Sequence, residues 1–115
     1  MTGGFSAPFN VLAEVLMATP FACEAVSSQQ VSGITTDTRS IRPSELFVAL
    51  EGDTFNGHDF AQQAIEKGAI ALVARKDALP STLNWPRLEV DDTLVAYQRL
   101  GQWWRQRMAL PVVAI

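Results

Sequence analysis

The sequence carries little reactive chemistry. A single cysteine, Cys23, excludes an internal disulfide and fits a reducing compartment. No activating partner stands near it, so it reads as a small buried or half-buried residue rather than a nucleophile. His58 is the only histidine. No nucleophile and no cluster of metal-ligating side chains surrounds it, so no catalytic residue and no metal ligand is assigned. The phosphate loop G-x-x-x-x-G-K-[ST] is absent, which excludes ATP binding by that device. No apolar run is long enough to span a membrane, and MTGGFSAPFN lacks the basic segment of a signal peptide, which points to the cytoplasm. Charge is sparse: 9 basic against 12 acidic side chains, scattered along the chain, leave a net charge of −3. That pattern argues against a nucleic-acid or acidic-membrane surface.

What is present suffices for a core. Hydrophobic residues make up 48% and charged residues 18% of the 115 positions, which fits a single globular domain and argues against disorder. The chain is organised around Thr35–Phe60, TTDTRSIRPSELFVALEGDTFNGHDF. Leu46-Phe47-Val48-Ala49-Leu50 reads as a strand buried on both faces. A polar loop, Thr36-Asp37-Thr38-Arg39, precedes it and a second, Glu51 to Asp59, follows it. Loops on a rigid scaffold are where binding residues concentrate. The two loops are expected at opposite ends of the strand, about 17 Å apart at roughly 3.3 Å per residue, so they share a ligand only if one folds back toward the other or an extended ligand bridges them.

In chain order, Met1–Ser6 reads as a frayed tail. Phe9, Leu12, Ala13, Leu16 and Met17 form a core-facing helical stripe that Pro20 stops. Val31–Thr36 reads as a strand. Arg42-Pro43-Ser44-Glu45 is a turn, type I rather than type II because a positive φ is costly without glycine. Asp59–Lys67 reads as a helix with Phe60, Ala61, Ala64 and Ile65 inward and Gly68 at its left-handed end. Ile70–Ala74 is a buried strand, so strand, helix and strand make a βαβ unit with a parallel pair. Lys76–Pro86 is a loop and Arg87–Val90 a short strand. Asp91 or Asp92 caps a long helix with Leu94, Tyr97, Leu100, Trp104 and Met108 on one face. A close packing contact is expected to explain Gly101 in mid-helix. Trp103 and Trp104 read as core packing and a docking face rather than a base-stacking platform, since no basic groove lies beside them. Val112–Ile115 reads as an apolar strand. The fold class is α/β, a small mixed or parallel sheet flanked by helices.

Asp37-Thr38-Arg39, Pro43, Leu46 to Leu50, Gly52, Gly57-His58-Asp59-Phe60, Gly68-Ala69, Asp92-Thr93 and Val112 to Ile115, in that order and spacing, resemble the N-terminal domain of the Mur ligases. Within the family the triplets look most like the branch that adds D-alanyl-D-alanine to the peptidoglycan precursor. The branch that adds the third amino acid is the near alternative, and a stand-alone non-catalytic module binding a nucleotide sugar or a protein is the other. The resemblance implies recognition of a UDP-N-acetylmuramoyl-peptide by residues 1–90. It implies that 91–115 are a linker helix and the first strand of an ATP-binding domain. The chain is thus expected to be a fragment of an ATP-dependent ligase that uses ATP and Mg, with no cofactor in this part and no catalysis by it alone.

The residues expected to contact the substrate are Thr36, Thr38, Arg39, Gly52, Asp53, Thr54, Asn56 and His58. Threonine hydroxyls both donate and accept, as uracil and ribose require. Glycine amides approach a diphosphate closely, and an arginine fork pairs with phosphate. Each has a structural reading beside it: Asp37 and Arg39 as a local pair, Gly57 as a turn glycine, His58 as a capping or structural hydrogen bond. Glu51 and Asp53 would repel a diphosphate. The remaining ligase domains are the expected partners, and apolar surface at Trp103, Trp104 and Val112–Ile115 is expected to promote self-association.

Overall fold

The computed structural model of the chain describes residues 6–113. Strand β1 (Ala7–Pro8) leads into helix α1 (Phe9–Leu16), followed by β2 (Thr19–Phe21), β3 (Gln30–Val31), β4 (Gly33–Thr35), β5 (Glu45–Val48), α2 (Ala61–Glu66), β6 (Ala71–Arg75), β7 (Arg87–Val90) and α3 (Thr93–Val113). Five strands form one sheet in the order β2-β7-β6-β5-β4. β4 to β7 run parallel, and β2 closes one edge antiparallel. β1 and β3 make a separate antiparallel pair. The expected α/β architecture with a mixed sheet is the one observed.

Strand periodicity divides the core in two. Leu46 and Val48 of β5 join Ala71 and Val73 of β6 and Leu88 and Val90 of β7 in a cluster covered by Phe9, Leu12 and Leu16 of α1 and Ala96 and Leu100 of α3. Phe47, Ala49 and Leu72 point the other way, onto Ala61 and Ala64 of α2. The LFVAL run is therefore apolar throughout because both of its faces are covered. Each large side chain so buried contributes about 1.5–3 kcal/mol.

Several expectations are corrected. Met17 leaves the stripe of α1: it sits at the helix end with φ 51° and is 78% exposed. The helix ends earlier than Pro20, at the left-handed Met17, and Pro20 lies in β2, where an edge strand tolerates its missing N–H. The strand expected over Val31–Thr36 is two strands, because Val31 pairs with β1 whereas Gly33 to Thr35 pair with β5. Ser44 adopts φ 71°, so the turn that returns Glu45 N–H to Arg42 O has the type II form despite the absence of glycine. Phe60 belongs to a 3₁₀ turn, Gly57–Phe60, that precedes α2, and the residue is 37% exposed rather than inward. Gly68 takes the left-handed end as expected, with φ 107°.

Helix α3 is capped by Asp92, whose Oδ1 accepts from the N–H groups of Leu94 (2.9 Å) and Val95 (3.2 Å). Its inner face is Thr93, Ala96 and Leu100 with Trp103 against the core, whereas Leu94 and Tyr97 are exposed. The large apolar residues suggested the wrong face. Small Thr93 and Ala96 are what let the helix approach α1 and the sheet. Gly101 has no close packing contact, since a methyl there would meet only Arg105 Nη1 at 3.8 Å. Val112 and Val113 continue α3 instead of forming a strand. A helix satisfies its backbone within itself, whereas a strand needs a neighbour to pair with. Ala114 and Ile115, like most of the tail expected over Met1–Ser6, lie outside the described residues. No helix among the described residues is long and apolar enough to cross a membrane.

Candidate functional site

Parallel pairing decides where the two polar loops lie. β4 and β5 run in the same direction, with Gly33 beside Glu45 and Thr35 beside Phe47. The loop that leaves β4 and the loop that leaves β5 therefore emerge at the same, carboxyl end of the sheet, where ligands of open α/β sheets bind. The expected placement at opposite ends is overturned: the chain between Arg39 and Glu45 returns to the far end before β5 begins. Between the loops lies a cleft of about 520 Å³ lined by Thr36, Asp37, Thr38, Arg39, Phe47, Phe55, Phe60 and Gln63.

The first loop is held by its own side chains. Thr35 Oγ1 accepts from Asp37 N–H at 3.1 Å. Asp37 Oδ1 caps the next turn by accepting from Arg39 N–H at 2.9 Å. The Arg39 guanidinium closes a two-pronged pair on the same carboxylate, Nε to Oδ1 at 3.0 Å and Nη2 to Oδ2 at 2.9 Å. Those bonds hold the Asp37 carboxyl down to about 2. Arg39 is thus a local partner of Asp37, and its side chain is 86% exposed at the rim of the cleft. Thr38 is buried, and its hydroxyl donates to Gln63 Oε1 at 3.1 Å.

The second loop is a tight excursion. Glu51 and Asn56 bridge its base, and Gly52 N–H donates to Phe55 O at 2.6 Å. The Gly52 amide thus already has a partner within the loop. Asp53 and Thr54 form the exposed tip. Phe55, which follows them, stacks on Phe60 with ring centroids 5.3 Å apart. Gly57 lies flat against the strand end: a methyl on it would sit 2.8 Å from both N and O of Leu50. Glu51 is neutralised by Arg75, Nε to Oε1 at 3.0 Å and Nη2 to Oε2 at 3.1 Å, which lowers the Glu51 pKa.

His58 is buried beneath this loop. Its Nε2 accepts from Arg75 N–H at 2.9 Å, so its proton is on Nδ1, 2.7 Å from Asn56 Oδ1. Asn56 Oδ1 also accepts from His58 N–H at 3.0 Å. Burial lowers the His58 pKa, partly offset by Glu51.

Thr36, Thr38 and Arg39 therefore line the cleft, whereas Gly52, Asp53, Thr54, Asn56 and His58 build and fasten the loop that forms its far wall. Sequence reasoning missed Phe47, Phe55, Phe60 and Gln63. The aromatic spacing Phe55–Phe60 was the available signal, masked by reading Phe60 as a core residue of the following helix. Chemically, the cleft joins an apolar floor and wall to a rim of hydroxyl and amide groups and the paired Asp37 carboxylate and Arg39 guanidinium, which suits a planar ring with polar edges. No group of three or more potential metal-ligating side chains occurs among the described residues. Cys23 is buried away from the cleft, with its thiol donating to Phe21 O (3.2 Å) or Arg87 O (3.3 Å), and burial raises its pKa.

Comparison with known proteins bears on the family and the fold. The family described as "Mur ligase family, catalytic domain" matches residues 30–110. The UDP-N-acetylmuramoyl-tripeptide--D-alanyl-D-alanine ligase of Synechocystis is 42% identical over 86 residues, covering 75% of this chain and 19% of that protein. The ligase of the same name from Escherichia coli is 44% identical over 85 residues, covering 74% and 18%. A 2,6-diaminopimelate ligase of Phocaeicola vulgatus is 45% identical, over a shorter 69 residues. A crystal structure of MurF from Acinetobacter baumannii superposes with a TM-score of 0.77 at 21% identity, covering 93% of this chain and 22% of that one. The chain spans about a fifth of the length of these D-alanyl-D-alanine ligases. A match over residues 30–110, with relatives above 40% identity across three quarters of the sequence, places this chain in the Mur ligase family.

Proposed function

We propose that this chain is the substrate-recognition part of an ATP-dependent ligase that joins D-alanyl-D-alanine to a UDP-N-acetylmuramoyl-peptide in peptidoglycan synthesis. Its own task is to hold the uridine diphosphate end in the cleft between the loops after β4 and β5. The observation that carries this reading is the convergence of those loops at one end of a parallel sheet, around an aromatic wall and a polar rim. A pyrimidine ring stacks on Phe55 and Phe60, as bases do on exposed aromatic side chains at about 1–3 kcal/mol each. Gln63 and Thr36 supply donors and acceptors for its edge. Arg39, at the rim, faces the diphosphate.

Of the branches that match, the D-alanyl-D-alanine ligases do so over three quarters of the chain. The diaminopimelate ligases of Phocaeicola vulgatus and Listeria monocytogenes do so over 58% and 80%. Identity at comparable coverage favours the first, 42% and 44% over about three quarters of the chain against 38% over 80%. The glycine-rich, lysine-bearing phosphate loop that ATP needs does not occur in these 115 residues, so ATP and Mg fall to the rest of the ligase.

Titration of the ¹⁵N-labelled chain with UDP tests the reading. Shift changes are expected at Thr36, Asp37, Arg39, Phe55, Phe60 and Gln63, with none on addition of ATP at the same concentration beyond those its phosphates share with UDP. No change at high UDP, or changes confined to Trp103 and Trp104, would overturn it.

A further inference from the structure

His58 occupies a place in the sheet that belongs to backbone. β5 ends at Val48, and Ala49 still pairs with β6 through its N–H to Val73 O at 2.9 Å. One step further along β6 the N–H of Arg75 is received not by a strand carbonyl but by the His58 imidazole, at 2.9 Å. The side chain is only 3% exposed, so water does not compete for either ring nitrogen. Asn56 Oδ1 holds the opposite nitrogen at 2.7 Å. One form of the ring satisfies both partners: neutral, with the proton on Nδ1.

The fastening matters because of what hangs on it. Phe55 and Phe60 flank the Asn56–His58 bonds in sequence and form the aromatic wall of the cleft. The segment carrying them has few other ties to β6, chiefly the Glu51–Arg75 ion pair at 3.0 Å. A second proton on the ring would point Nε2–H at Arg75 N–H, two donors face to face. We propose that His58 is a positioning residue for the cleft: its neutral imidazole pins the Glu51–Phe60 segment to the end of β6, and protonation of Nε2 releases that segment and its aromatic wall. The consequence for ligand binding rests on the nucleotide reading above. The pin itself does not.

The surrounding charges set the direction. Glu51, with Oε2 3.8 Å from Nδ1, and Asp59 favour the cation, while the Arg75 guanidinium opposes it. Asp92 acts on Glu51 from the start of α3. Burial outweighs the two carboxylates, so the ring stays neutral through the physiological range, and release belongs to the acid side of it.

The test is an NMR titration of the ¹⁵N-labelled chain from about pH 8 to about pH 5, with and without UDP. At the upper end the ring is expected as the Nδ1–H tautomer. On acidification the amide of Arg75 and the signals of Phe55 and Phe60 should move together with ring protonation. UDP affinity should fall by up to about tenfold per pH unit below the ring's pKa, as linkage of one proton requires. His58→Gln keeps a neutral acceptor for Arg75 N–H, so it should restore the pinned loop without the acid release, whereas His58→Ala should lose it at every pH. An Nε2–H tautomer at neutral pH, or ring protonation that leaves Arg75 and Phe55 unmoved, would overturn the proposal. Should UDP fail to bind at any pH, the nucleotide reading falls, while the Arg75, Phe55 and Phe60 signals still decide the pin. If neither variant folds, the unmodified chain's titration decides it alone.

Discussion

The hydroxyl of Thr38 donates to Gln63 Oε1 across 3.1 Å, joining the loop after β4 to helix α2 beneath the cleft. Thr38 is 7% exposed and lines the cleft, so its hydroxyl also fixes how Gln63 is presented there. Thr38→Val removes the hydroxyl at nearly constant shape. The expected loss is about 1 kcal/mol of stability, rising toward roughly 3 if Gln63 Oε1 stays unpaired. Urea denaturation measures it. A parallel UDP titration should show the largest change from the unmodified chain at Gln63.

Two glycines should respond to alanine with opposite signs. At Gly57 the new methyl would press on backbone, 2.8 Å from Leu50 N and O and 2.9 Å from Ala49 Cα, and backbone at a strand end cannot step aside. Gly57→Ala is expected to lose about 1–3 kcal/mol, as overpacked sites do. At Gly101 the nearest atom is a flexible guanidinium nitrogen at 3.8 Å. Gly101→Ala should therefore gain up to about 1 kcal/mol of helix propensity. Denaturant midpoints that move the same way for both variants would contradict this packing.

Ser44 offers a stabilising change of a different kind. Its φ of 71° is one that glycine adopts freely and an L-residue pays about 1–2 kcal/mol to hold. Its side chain is exposed. Ser44→Gly removes that strain but adds freedom to the unfolded chain, so a net gain of about 0.5–1 kcal/mol is expected. Thermal unfolding of the variant beside the unmodified chain measures it.

Much of this fold was legible in the sequence because its signals are local. LFVAL and the run from Ile70 to Ala74 are apolar strands with turn residues around them, and Asp92 announces α3 by its capping position. What stayed hidden depended on distance. Nothing in Thr36–Arg39 or Glu51–His58 states that β4 and β5 are parallel, and only that pairing brings the loops to one end. The same gap concealed Phe55 and Gln63, and Phe60 reads as helix core until the cleft beside it is seen. On α3, side-chain size favoured Leu94 and Tyr97 for the inner face. Close approach to α1 and β6 selected Thr93 and Ala96 instead. Ser44 shows the reverse case, where a local preference was legible and the surrounding ladder overrode it: Ser32 N–H donates to Ser44 O at 2.9 Å, and Ile70 N–H donates to Glu45 O at 2.8 Å.

Stability should depend on pH in two separate windows. The His58 pKa is lowered from 6.5 by burial, so the unfolded chain takes up a proton before the folded one does. Its contribution is complete above pH 6.5 and is lost as pH falls from there through the folded value. Asp37, lowered from 3.8 to about 2 by Arg39, contributes above its unfolded value and loses that contribution between those two values. The Asp37–Arg39 pair is exposed, so this second step should be small and weaken with salt. Unfolding free energy followed against pH should show the first step vanish in His58→Gln and the second shrink in Asp37→Asn to the part contributed by Glu51, which Arg75 lowers from 4.5 in the same acid window.

Arg87 is the side chain whose loss should cost most. It is 2% exposed, and its guanidinium holds three elements at once. Nε donates to Glu89 Oε2 at 3.0 Å, Nη1 to Leu83 O at 3.0 Å, and the plane lies 3.9 Å from the centroid of the Phe21 ring. It thereby fastens the Lys76–Pro86 loop and the edge strand β2 to β7. Arg87→Met keeps much of the volume but leaves the Glu89 carboxylate and the Leu83 carbonyl without their donor, a change expected to cost about 3–5 kcal/mol. Arg87→Lys retains the charge but not the planar fork, so it should recover only part of the loss. Limited proteolysis with trypsin reads the local effect: cleavage after Lys76 should accelerate in Arg87→Met before the chain unfolds globally. Cleavage rates that track global stability alone would show that the loop is held by other contacts.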